Sequence, residues 1–370
     1  MALPMAEFVA GLQLNRQFYA EVVKPLLATH FPDLVYAAAL IGPGSDVLGF
    51  DTPMSTDHDW GPRLQLFLPF ARYAEQHTAI DECLRNGLPA TFRGFPVNFS
   101  PPNPNDGGTQ GMAFVTGGPI NHRIQITTVE AFCRRHLGMN ADAPLAAVDW
   151  LTLSEQQLLE MTAGAVFHDG WGELTALRAR LAYYPHEVWL YRIAAQWRRI
   201  AQEEAFMGRC GDVGDALGSQ IIAARLVREL MRLAFLLERR YAPYSKWLGT
   251  AFARLACGAQ LRPLLQVAVA NPDWQARQEP LCAAYVVLGQ LHNALGITAP
   301  VEPVITNYFN RPFQVIFADR FVAATQQALT DPAIRALTPH VGGVDQFVDS
   351  TDVTTLPRRA RALAGIYTVN

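Results

Sequence analysis

The stretch that most restricts how this chain can fold is Leu34-Val35-Tyr36-Ala37-Ala38-Ala39-Leu40-Ile41, an unbroken apolar run closed by Gly42-Pro43-Gly44. A strand with one wet face alternates apolar and polar residues. A run without alternation, ended by glycine and proline, is read as a strand covered on both faces. The chain must therefore supply a layer on each side of a sheet. The run is also far short of the roughly 18 residues needed to cross a membrane, so no membrane span is expected.

Around this strand the spacing predicts a mixed domain. Residues 1–30 read as a leading amphipathic helix with Phe8, Leu12, Phe18, Val22 and Leu26 on one side. A second strand fits Asp57 to Leu68, with a bulge or sheet edge where Pro62 interrupts it. Residues 71–87 read as a helix. Short strands are expected at Thr91–Phe99 and Arg123–Thr128, separated by the loop PPNPNDGGTQG. After about Gly138 the pattern becomes helical through residues 154–300. Leu190, Ile193, Ala194, Trp197 and Ala201 mark one helix face, and Leu217, Ile221, Ala224, Val227, Met231 and Phe235 another. Helix stops are expected at Gly208–Asp212 and at Tyr241-Ala242-Pro243, with further helices over 280–296 and 311–338. The fold class is therefore α+β: a small mixed-sheet domain over residues 1–140, then a helical bundle over 141–370.

Composition excludes several functions. Of 370 residues, 50% are hydrophobic, and the net charge of −3 leaves no basic excess for nucleic-acid phosphates. The five cysteines (Cys83, Cys133, Cys210, Cys257, Cys282) are scattered and form neither a disulfide framework nor a zinc motif. The opening MALPMAEFVAGLQ lacks the basic start and apolar middle of a signal peptide. A reduced, cytoplasmic protein is the expectation, and an apolar bundle leaves room for a homodimer. Lys24 and Lys246 are the only lysines among 30 basic residues, which draws attention to Lys246 beside Tyr244 and Trp247.

Chemistry concentrates in Gly42 to Trp60. The apolar strand runs into Gly44-Ser45, where bare backbone N–H groups and a hydroxyl can approach a phosphate. Twelve residues after Ser45 comes Asp57, and then Asp59. On a strand these would point the same way, about 7 Å apart. Two carboxylates so placed repel, and a hard divalent cation relieves them. Mg²⁺ is the natural one, because it accepts one or two carboxylates together with substrate phosphates. Asp46 and Asp51 read as loop acids and His58 as structural. Arg63 shares the parity of Asp59 and would face the same cleft.

A strand ending in Gly-Ser, followed 10–13 residues later by Asp-x-Asp, resembles the polymerase-beta-type nucleotidyltransferase superfamily. The helical second domain is similar in layout to that of kanamycin-type nucleotidyltransferases. More closely, GPGSDVLGFDTPMSTDHDWGPR, YAPYSKW, FNRPFQVIFADRF and GGVDQFVDSTDV resemble the uncharacterised domain-of-unknown-function 4037 family. The superfamily resemblance implies transfer of a nucleoside monophosphate from an NTP such as ATP to a hydroxyl acceptor. A small-molecule acceptor is expected, since the chain is mildly acidic. The resemblance also implies a third carboxylate on a later strand. Gln125 stands there, in Arg123-Ile124-Gln125-Ile126-Thr127. Its amide can coordinate a cation but cannot take a proton.

The candidate site is therefore Asp57, Asp59 and Gln125, with Gly44, Ser45, Arg63, Arg209 and Lys246 on the nucleotide. Arg209 is assigned to a glycine-rich break. Two rivals follow from the same residues. Gln125 suits a catalytically degenerate nucleotide-binding or sensing protein. His168-Asp169 suits a metal phosphohydrolase.

Overall fold

The computed structural model describes residues 7–368; Met1–Ala6 of the expected leading helix lie outside them. The fold is α+β and divides into two compact units. The first comprises the chain up to Pro144 together with Gln157–Ala182, and the second comprises Leu145–Gln156 and everything from Tyr183 onward. The division is thus not a single cut near residue 140.

The first unit is built on a four-stranded sheet. Its strands are β1 (Ala37–Leu40), β2 (Arg63–Phe67), β5 (Arg123–Thr127) and β6 (Ala165–Asp169), in the order β5-β2-β1-β6. A tight hairpin, β3 (Thr91–Phe92) and β4 (Phe95–Pro96), occupies part of the expected 91–99 strand. β1 runs antiparallel to both β2 and β6, while β2 and β5 are parallel. All four residues of β1 are fully buried, as the apolar run requires.

One face of the sheet, with Ala38, Leu64, Leu66 and Ile124, joins the leading helix and Ile80 and Leu84 of a later one in a single core. The leading helix consists of α1 (Gly11–Phe18) and α2 (Lys24–His30), joined by a π-helical turn at Tyr19–Val23. That turn inserts one residue into the period. The buried line therefore runs Leu14, Phe18, Val23, Leu27, one step off the face drawn from even spacing. A short helix, α3 (Ser45–Leu48), follows β1, and α4 (Phe70–Gly87) follows β2. On the other face of the sheet Phe67 meets Phe132 of α5 (Val129–Leu137), with ring centroids 5.4 Å apart. The chain then passes through α6 (Ala147–Thr152) of the second unit and α7 (Glu155–Thr162) into β6, and α8 (Glu173–Arg180) closes the first unit. β6 was not visible in the sequence, where residues 154–300 read as helical; pairing with β1 makes it a strand.

The second unit centres on α9 (His186–Glu203). It packs against α11 (Ala216–Leu237), which follows α10 (Phe206–Asp212). α12 (Ser245–Phe252), α13 (Gly258–Ala270), α14 (Trp274–Ala294) and α15 (Asp319–Ala328) complete the larger helices. A hairpin, β7 (Thr306–Asn307) and β8 (Gln314–Val315), takes the start of the expected 311–338 helix. α10 runs through Gly208 and Gly211 and ends at Asp212, so the expected helix stop falls at the end of Gly208–Asp212 rather than within it. A Cβ at Gly211 would collide with the Trp274 side chain, so this glycine serves close packing rather than a turn.

α11 also buries a different line from the expected one. Ala223, Leu226, Leu230, Leu233 and Leu237 are buried, while Leu217 is 68% and Ile221 52% exposed. The helix is apolar on more than one side, so its period alone does not choose the face.

Candidate functional site

The sheet register brings the chemistry-bearing residues of the first unit to one end. β1 ends where antiparallel β2 begins, with Ala39 opposite Gln65. β2 begins where parallel β5 begins, with Arg63 opposite Arg123. The turn after β1, the segment before β2 and the first residue of β5 are therefore neighbours.

The turn is held by a buried ion pair. Arg63 forks onto Asp46, with Nε 3.0 Å from Oδ2 and Nη2 2.7 Å from Oδ1. Its Nη2 also donates to the Pro43 carbonyl at 3.3 Å. A charge-assisted fork of this kind fixes geometry as well as energy. Gly44 has φ +146°, and a Cβ there would strike both the Arg63 guanidinium and the Asp46 carboxylate. This is why the chain needs glycine before Ser45, the first residue of α3. Further along, Asp51 Oδ2 accepts from the Gly11 N–H at 2.6 Å and from Trp60 Nε1 at 3.0 Å. Asp46 and Asp51 are thus anchors of the loop. Arg63, expected to face a phosphate, is instead committed to Asp46.

Asp57 and Asp59 do not lie on a strand. Asp57 ends a 3-10 turn, Pro53–Asp57, which starts with proline after Thr52. Asp59 has φ +50°, Gly61 has φ +135°, and Pro62 has no N–H to give a ladder, so β2 starts only at Arg63. The argument from shared strand parity therefore fails for this pair.

Both carboxylates are nonetheless accessible, at 63% and 42% side-chain exposure. Asp57 Oδ1 accepts from the His58 N–H and lies 3.0 Å from its Nδ1. Asp59 Oδ1 lies 2.8 Å from Arg123 Nη1 and accepts from the Gln110 N–H at 3.2 Å. The Gln110 carbonyl in turn accepts from the Asp59 N–H at 2.8 Å. The loop after Pro101 is thereby tied across this segment. Each aspartate makes these contacts through Oδ1.

Gln125 lies two residues beyond Arg123 on β5 and so shares its face. It stands opposite Gln65, whose Oε1 accepts from the Ile41 N–H at 3.1 Å. On α5, which covers the same face through Phe132, burial and then Arg135 push His136 down to about 4. Arg123 was absent from the sequence-derived site. Its strand parity with Gln125 was the one signal that could have found it.

The remaining expected residues lie in the second unit. Arg209 is exposed on α10, within a helix rather than in a break. Lys246 is exposed on α12, with its Nζ 4.9 Å from the Trp247 ring. His168-Asp169 lies at the end of β6, and Asp169 accepts from the Gly172 N–H at 2.9 Å and the Thr175 N–H at 2.8 Å. That carboxylate caps the start of α8, which removes the acid the phosphohydrolase reading relied on. Among the described residues there is no group of three or more His, Cys, Asp or Glu side chains placed to hold a metal ion. No described helix is long and apolar enough to cross a membrane.

The second unit also holds a buried charge cluster that the sequence did not announce. Arg192 of α9, 0% exposed, lies 2.9 Å from Asp345 Oδ1 and 3.2 Å from Glu155 Oε1. Asp345 Oδ2 accepts from the Glu155 N–H at 2.7 Å. Burial and the nearby Asp345 charge push Glu155 up to about 8. Burial works against ionised Asp345 too, but Arg192 and Arg232 hold it below its usual range. Of the two carboxyls, Glu155 is the one pushed towards its neutral form and Asp345 the one held charged.

No curated protein matches the chain. A solved structure of a nucleotidyltransferase-like protein from Exiguobacterium sibiricum 255-15 is 10% identical, covers 88% of this chain and 92% of that chain, and has a TM-score of 0.31. That likeness is too weak to bear on function. Residues 150–248, from α6 to α12, match the family described as "Domain of unknown function (DUF4037)".

Proposed function

We propose that the chain transfers a nucleoside monophosphate from an NTP, with ATP the first candidate, to a small hydroxyl acceptor in a Mg²⁺-dependent reaction. One observation carries this reading. Two exposed aspartates, each engaged through one oxygen only, stand at the same sheet end as the glycine turn after β1. Two carboxylates with oxygens to offer suit a cation that takes its other ligands from water and phosphate.

In this reading Asp57 and Asp59 hold the cation, and the cation neutralises charge on the phosphates. Arg123, which already balances Asp59, supplies a guanidinium beside the triphosphate. The backbone at Gly44 and Ser45 positions its outer phosphates. The acceptor oxygen bonds to the α-phosphorus, the bond to the bridging oxygen breaks, and pyrophosphate leaves. The acceptor proton passes to water, since Gln125 cannot take it. Positioning and charge neutralisation supply most of the acceleration in such transfers.

Asp57→Asn should lower pyrophosphate release from ATP by about 10²-fold or more. The melting curve should barely move, because the side chain is mostly exposed. Unchanged release in the variant would reject the assignment.

The place of Gln125 favours a second reading, a protein that binds nucleotide without transferring it. General-base help is worth roughly 10²–10⁴-fold. If the wild type binds ATP without releasing pyrophosphate and Gln125→Glu releases it, the second reading replaces the first.

A further inference from the structure

α11 carries Arg228 and Arg232, four residues apart and therefore on one face. Both line a recess within the second unit, about 420 Å³ including the solvent in its mouth. Pro243 and Tyr244 of YAPYSKW form part of its wall, as do Val348 and Asp349 of GGVDQFVDSTDV. Two of the stretches that stood out in the sequence thus meet here.

Two carboxylates, Asp345 and Asp349, line the recess with the two arginines, yet hydrogen bonding within it is incomplete. Arg232 is 8% exposed, and its Nε has no hydrogen-bond partner among the described residues. Its Nη1 lies 3.5 Å from Glu155 Oε2, the long limit of a hydrogen bond. Arg228 Nη1 donates to Glu229 Oε1 at 3.1 Å, and its Nη2 is 4.0 Å from the largely exposed Asp349. Glu229 also serves Arg199, at 2.8 Å. Asp345 is taken up by Arg192 and the Glu155 N–H. Arg232 therefore lines the cavity with one buried N–H that no described acceptor takes up, and Arg228 lines it with a guanidinium whose outer nitrogen is only loosely held by Asp349. A buried guanidinium N–H without an acceptor is costly to keep and rare in folded proteins. An oxyanion that offers two neighbouring oxygens, carboxylate or phosphate, is the group that a guanidinium fork fits best.

We propose that this recess binds a small organic oxyanion, a carboxylate or a phosphate monoester, held by Arg228 and Arg232 with its carbon skeleton against Tyr244 and Leu248. The proposal does not rest on nucleotide transfer, and its test contains no nucleotide.

The test is calorimetry on the full chain at low salt with three probes: glycerol 3-phosphate, lactate, and glycerol as the neutral control. At least one anion should bind with a dissociation constant of about 1 mM or tighter, and glycerol should not. The anion that binds tighter identifies the head group. Arg228→Gln should weaken binding at least about tenfold, since it removes charge-assisted hydrogen bonds. Arg228→Lys keeps the charge but loses the fork, so its affinity should fall between the two. It also serves as the second variant should the glutamine protein fold poorly. Failure of both anions to bind, equal binding of glycerol, or unchanged affinity in the Arg228 variants would overturn the proposal.

Discussion

Two groups of charged residues, one in each unit, solve opposite problems. At the sheet end of the first unit, Asp57 and Asp59 are open to water and each engages the protein through Oδ1. In the second unit, Arg192, Glu155 and Asp345 are almost entirely removed from water. Exposed carboxylates cost little to maintain and remain available to a ligand. Buried ones must be matched within the protein, because an unpaired charge in the interior is strongly destabilising. The first arrangement is suited to chemistry. The second holds segments together that lie far apart in sequence, with Arg192 and Asp345 separated by 153 positions. What separates the two is solvent, since both use the same residue types.

The contrast can be broken most sharply at Arg192. Arg192→Met leaves Asp345 buried without its cation and should cost about 3–5 kcal/mol of unfolding free energy in urea titrations. A loss close to that of Asp57→Asn would mean that water reaches the cluster and that the two regions do not differ in kind.

A second effect concerns pH. Burial and Asp345 raise the folded-state pKa of Glu155 to about 8, above its ordinary value of 4.5. The folded protein therefore holds a proton that the unfolded chain releases. That contribution is fully present below about 4.5 and is lost as pH rises towards 8. Glu204, raised to about 7 mainly by burial, acts in the same direction. Asp345 acts oppositely, since its lowered pKa gives stability that is lost only as pH falls below the usual carboxylate range. His136 and His292, lowered to about 4 mainly by burial, also act against Glu155 up to the ordinary histidine value of 6.5. Chemical denaturation from pH 7 to 8 should therefore show stability falling with pH, and Glu155→Gln should flatten part of the slope. An unchanged slope in that variant would place the proton elsewhere.

The smallest effect sharpens the contrast between buried and exposed positions. Leu217 is 68% exposed on α11, so Leu217→Ser should change stability by no more than about 0.5 kcal/mol. A loss above about 2 kcal/mol would show that this position is covered in solution.

Much of this was legible in the chain. The apolar run became β1, buried on both faces. Residues 71–87 and 123–128 became α4 and β5 with little change of boundary, and the face through Leu190, Ile193 and Trp197 is the buried face of α9. These signals are local: periodicity, capping and turn residues act within a few positions. What failed was equally specific. The π turn at Tyr19–Val23 shifted a helix face, Asp59 and Pro62 delayed a strand, and β6 emerged from a stretch that read as helical. Arg63 could be assigned a parity, but nothing in the spacing revealed that Asp46 would claim it.

The sequence by itself determined which segments are strands and helices for most of the chain, and that a glycine turn precedes a pair of aspartates. Only the tertiary structure decided which charge meets which. Arg123 reaches Asp59 because β2 and β5 are parallel and in register. Arg192 reaches Asp345 because helix packing closes a loop of more than a hundred residues. Side-chain period is set by the backbone of a single element. Partnership between ions is set by how elements are stacked, and that is fixed by the burial of all their apolar faces together.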